Sequence, residues 1–120
     1  MNWKEIKEKC PKAFQKLVDW LHCDVKVIIE DNELVTYIPA SPAHHHIQRR
    51  DTMSVRRLYD FFDEQEIGVW IMPLFSLTED KIDYFSGAIG GVSVGEQKSR
   101  TEIEIIAFTK AFEILENKIN

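Results

Sequence analysis

Four arginines and three histidines crowd into the fourteen residues from His44 to Arg57. Neutral imidazoles bind zinc, nickel or copper, and alternate residues of an extended segment share a side, so His44 and His46 could grip one ion together. Such a centre needs further ligands, yet no other histidine or cysteine stands at ligand spacing, and His22 is alone. The triplet His44-His45-His46 is therefore read as a solvated loop, with no metal expected. Taken with their neighbours, His44, His46, Arg49 and Arg50 make a candidate basic patch that could face phosphates. Arg56 and Arg57 share their predicted helix face with Asp60, Asp63 and Glu64 at pairing distance, and no aromatic residues interleave with the basic ones. A nucleic-acid-associated role for the His44–Arg57 segment is thus the alternative reading rather than the leading one.

The glycine-rich stretch Ser86-Gly87-Ala88-Ile89-Gly90-Gly91-Val92-Ser93-Val94-Gly95 invites comparison with phosphate-binding loops. Those loops place lysine after the last glycine to reach the terminal phosphates. Here Glu96 follows, whose charge repels phosphate, so the glycines are read as turn residues. The pairs Asp60/Asp63 and Asp80/Asp83 could do acid–base work only inside a cleft that drives two pKa values apart. Neither Cys10 nor Cys23 has a histidine placed to activate it. No catalytic residue and no cofactor are expected.

These residues belong to a chain of 120, with 44% hydrophobic and 29% charged residues and a net charge of −5. That length and balance predict a single domain over residues 1–120 with its own core. An acidic chain has no global attraction to nucleic acid or to anionic membranes. The longest apolar run, Ile67 to Phe75, is about half of what a membrane span requires. With two cysteines and no apolar signal core at the N-terminus, the expected compartment is the cytoplasm, with both thiols reduced.

The elements that would position these groups follow from periodicity. Trp3, Ile6, Cys10, Ala13, Phe14, Leu17, Val18, Trp20 and Leu21 fall in an arc of about 160° at helical spacing. Pro11 interrupts that path, which predicts a short helical turn over 3–8 and a main helix from Pro11 to His22. Residues 25–30 and 34–39 alternate as strands around a turn at Asp31-Asn32-Glu33, and 39–50 reads as a loop. A second helix is predicted over 52–66, capped by Asp51 or Thr52. Ile67 to Phe75 reads as a strand apolar on both faces and therefore well covered, with Pro73 demanding a sheet edge or bulge. Lys81 to Ile89 is a further strand, and Gly90-Gly91 turns it into a short fifth one at Val92–Val94. The last helix starts near Thr101, where Thr101/Glu104 and Ser99/Glu102 both have capping-box spacing. The fold class is α+β in two layers: an antiparallel sheet of four or five strands under three helices, in the order αββαββ(β)α, with the 25–39 hairpin beneath the first and last helices.

Three stretches have a familiar wording. Lys7-Glu8-Lys9-Cys10-Pro11-Lys12-Ala13-Phe14, Leu58-Tyr59-Asp60-Phe61-Phe62-Asp63-Glu64-Gln65 and Ala107-Phe108-Thr109-Lys110-Ala111-Phe112-Glu113-Ile114-Leu115-Glu116 resemble segments of small uncharacterised proteins of gut Bacteroides and their phages or mobile elements. The resemblance implies an origin and no activity, because it consists of helix faces.

With no catalytic constellation, the leading expectation is a non-enzymatic accessory module that binds another protein or itself. Along 103–119 the apolar residues cover an arc of about 200°, wider than the stripe of just over about 100° that one sheet face covers. The helix is therefore either wedged between the sheet and another helix, or its spare edge meets a partner. Ile103, Ile106 and Ile114 are the candidate interface.

Overall fold

A computed structural model describes residues 1–21, 26–39, 48–75 and 81–119. Proline decides the first boundary. Residue 10 precedes Pro11 and is held out of the helical region, with φ −127° and ψ 59° at Cys10. The chain therefore forms α1 (Trp3–Lys9), bends at Cys10, and restarts as α2 (Pro11–Leu21) with proline in the first helical position. The amides that Pro11 leaves unpaired are met from far along the chain. Glu116 accepts from the Lys12 amide at 3.0 and 3.1 Å and from the Ala13 amide at 3.1 Å.

β1 (Lys26–Glu30) and β2 (Glu33–Pro39) form the predicted hairpin, paired from Lys26↔Tyr37 to Glu30↔Glu33. Its turn is Asp31-Asn32, both at positive φ (48° and 62°), the conformation small polar residues tolerate best. Part of the segment read as a loop is a strand. β3 (Gln48–Thr52) pairs antiparallel with β2, so the hairpin is a three-stranded sheet of order β1-β2-β3. Asp51 and Thr52 accordingly belong to β3, and Ser54 occupies the N-cap of α3 (Val55–Glu64).

The second half builds a separate sheet. β4 (Val69–Phe75), β5 (Ile82–Ile89) and β6 (Val92–Gln97) pair antiparallel in sequence order. Gly90 and Gly91 at φ 58° and 85° make the turn between the last two. Pro73 lies on β4, an edge strand, and a bulge follows at Leu74/Phe75. α4 (Arg100–Ile119) closes the chain, capped by the Ser99 hydroxyl, which accepts from the Glu102 amide at 3.1 Å. Of the two capping boxes the sequence offers, the fold uses the earlier.

The α+β class is as expected, but the single sheet under three helices is replaced by two three-stranded sheets and four helices among the described residues. The order is ααβββαβββα. The physical reason lies at α3, which leaves β3 and delivers the chain to β4 as a new edge instead of returning it to the first sheet. α4 then packs mainly across β4, β5 and β6 on one side and against α1 and α2 on the other, rather than over the hairpin. The hairpin meets the helices at Leu34, Val27 and Ile29, which join the core cluster. Phe61, Phe62, Phe108 and Phe112 fill the centre, fully buried, with Phe62 and Phe112 edge-on at 4.9 Å. The molecule measures 58 × 35 × 25 Å with a radius of gyration of 16.6 Å. A compact chain of this length would have about 13–14 Å.

Candidate binding surface

β4 is apolar at every position, and the pleat sends alternate residues to opposite faces. Val69 and Ile71 point inward with Ile89 and join the core beneath α4. α4 approaches so closely that a Cβ added to Gly87 would stand 2.9 Å from Ile103 Cγ1 and 3.0 Å from Val94 Cγ2. Among the described residues no helix covers the other face. Trp70 is 69% exposed and Met72 61%, with Tyr84 at 42% on the neighbouring strand. Phe75 and Ile82 extend the apolar surface past the bulge. The expectation that this strand is covered on both faces is therefore corrected: it is covered on one.

Registry defines the shape of the exposed face. Trp70 pairs with Ala88, and Met72 with Ser86. Ala88 in turn pairs with Ser93, and Ser86 with Glu96. Large apolar side chains on β4 thus wall a floor of small residues on β5, and Glu96 stands on the far rim. The floor and the β4 wall carry no charge. A shallow, neutral trough with an acidic rim has no means of holding phosphate, and its chemistry is contact with an apolar surface.

The residues singled out from sequence are scattered. Ile103 is fully buried against the second sheet, Ile114 is half-buried, and Ile106 remains 37% exposed. The wide arc of α4 is explained by its position between the sheet and α1–α2. Arg49 and Arg50 are adjacent on β3, so their side chains leave on opposite faces. Arg49 pairs with Asp51 at 3.1 Å and Arg50 with Glu30 at 3.0 Å, which leaves them no shared patch. His44, His45 and His46 lie outside the described residues, as do His22, Cys23 and Asp80. Among the described residues no group of three or more histidines, cysteines and acids converges to hold a metal. Asp60, Asp63 and Asp83 are exposed, and the glycine-rich stretch is the β5–β6 hairpin. No described helix is long and apolar enough to cross a membrane.

Glu30, Cys10 and Tyr59 are among the titratable groups that their surroundings perturb. Tyr37 and Arg50 donate to the two oxygens of Glu30 at 2.6 and 3.0 Å, and these bonds hold its carboxyl below the usual range. Burial, helped by Glu116 and Glu113, pushes the Cys10 thiol up and away from the reactive thiolate. Burial also raises Tyr59, whose hydroxyl donates to Glu104 at 2.8 Å. None of these lies beside another in a cleft.

The arrangement defines an α+β protein whose second sheet is helix-covered on one face and exposes an apolar trough on the other. Comparison with protein-family models, curated proteins and solved structures finds no match for this chain.

Proposed function

We propose that the protein is a non-enzymatic binding module that receives an amphipathic helix of a partner protein on the outer face of the β4-β5-β6 sheet. The observation that carries this reading is the exposure of Trp70 and Met72, at 69% and 61%, on the solvent face of a sheet. An antiparallel sheet with one wet face ordinarily places polar residues there. Tryptophan and tyrosine dominate protein contacts because they bury large areas at low entropic cost, and methionine adapts its shape to a partner. Large walls over the small floor of Ser86 and Ala88 suit the ridge of a helix. Glu96 on the rim favours basic residues along one flank of that helix, as does the net charge of −5.

The test compares the native chain with Trp70→Lys/Met72→Lys in affinity capture followed by calorimetry with the captured protein. Both side chains are exposed, so the variant should melt within a few degrees of native. A stoichiometric partner should bind the native chain and lose at least about a hundredfold in affinity with the variant. A partner bound equally by both proteins overturns the reading, as does a calorimetric titration showing that the contact is to nucleic acid.

A further inference from the structure

β1 forms the outer edge of the first sheet, and among the described residues no strand pairs with its free side. The turn at Asp31-Asn32 has two residues, and such a turn closes on a hydrogen-bonded pair, here Glu30↔Glu33. Bonding then alternates along the ladder. Ile28 and Lys26 spend their backbone groups on Val35 and Tyr37, while Val27 and Ile29 direct theirs to the free edge. That edge opens into a cleft of about 650 Å³ lined by Lys4, Lys7, Glu8, Val27, Ile28 and Ile29. Three consecutive strand residues line it, so the backbone edge itself faces the space. The Lys4 amide donates to Asn32 at 3.2 Å and anchors α1 to the hairpin at one end of that cleft.

We propose that two copies of the chain join through β1, antiparallel about Ile28, and merge their three-stranded sheets into one. The strand reads Lys26-Val27-Ile28-Ile29-Glu30, and it is complementary to its own reverse. Antiparallel pairing about Ile28 sets Lys26 opposite the partner's Glu30, and Glu30 opposite the partner's Lys26. Val27 then faces the partner's Ile29, and these residues are the ones with unspent backbone groups, so each exchanges both bonds. Ile28 meets its own copy as a non-hydrogen-bonded pair, the type with the closest side chains. Lysine on an edge strand ordinarily repels a second edge. Here it finds opposite it the Glu30 carboxylate, whose oxygens already accept from Tyr37 and Arg50 and would be shared with the incoming ammonium. A foreign extended segment would satisfy the same backbone groups, but the opposed charges at the two ends of β1 single out a second copy. On α1, Lys4, Lys7 and Glu8 carry both signs, so the two-fold brings no wall of like charge to the seam. This surface is separate from the trough on the second sheet, and each reading fails on its own.

Light scattering and sedimentation over a micromolar-to-millimolar range read the association directly. The native chain is expected to dimerise. Val27→Pro removes an outward N–H without touching the β1–β2 ladder, and it is expected to leave a monomer that melts below the native protein, because Val27 also packs on the core. Lys26→Glu places like charges at both ends and should raise the dimer Kd about tenfold. Ile28→Cys in a Cys23→Ser background should crosslink on mild oxidation, whereas Ile38→Cys, on the central strand, should not. The crosslink decides the matter even where Val27→Pro disturbs folding. A native chain that stays monomeric throughout overturns the proposal. So does a dimer that resists both β1 substitutions, or one weakened only by Trp70→Lys.

Discussion

Tyr59 shows what one side chain contributes when packing and hydrogen bonding act together. Its ring stands edge-on to Phe108 at 4.8 Å while its hydroxyl reaches Glu104, tying α3 to α4. Burial and that bond favour the neutral phenol and push its pKa well above the ordinary 10.0. An unfolded chain therefore ionises this tyrosine first. The stabilisation is complete below the ordinary value and is lost as pH rises from there toward the higher folded value. Thermal melts between about pH 9.5 and 11 should show the native protein losing stability more steeply than Tyr59→Phe. Equal slopes would mean that the phenol is not held neutral by the fold.

At the scale of elements, the close approach of α4 to the second sheet rests on Gly87. The position needs no unusual backbone; what it needs is an absent side chain. Ile103 is fully buried and β-branched, so it has little freedom to yield to a new methyl group. Gly87→Ala is expected to cost about 1–3 kcal/mol, the usual penalty for overpacking. Ile103→Val on top of it should return part of that loss, a coupling that a denaturant-melt double-mutant cycle measures. Additive effects would show that helix and sheet are spaced by some other contact.

Across the whole molecule, the two sheets are held unequally. α4 spans all three strands of the second sheet and seals its inner face, whereas the first sheet joins the core mainly through Leu34, Val27 and Ile29. Fewer apolar contacts lower the free energy of local opening. Amide hydrogen exchange at protein concentrations where the chain is monomeric should therefore open β1–β3 before the β5 and α4 amides. Equal protection of both sheets would show that the molecule opens as one unit.

Local chemistry settled most of the elements in advance. Pro11 divides the N-terminal helix, Asp31-Asn32 and Gly90-Gly91 turn the hairpins, Pro73 falls on an edge, and Ser99 caps the last helix, because each depends on backbone conformations or amides within a few residues. β3 escaped notice because Gln48-Arg49-Arg50-Asp51-Thr52 has no apolar alternation; its strand form comes from pairing with β2. The candidate surface escaped for a related reason. A run such as Val69-Trp70-Ile71-Met72 records that both faces are apolar, and periodicity cannot distinguish a face buried by its own chain from one left open. The same limit applied to α4, whose wide apolar arc fits either a partner or two neighbours within the chain. Which apolar face finds cover depends on whether the six described strands make one sheet or two, and that is decided by where α3 delivers the chain, a long-range choice no short stretch of residues encodes.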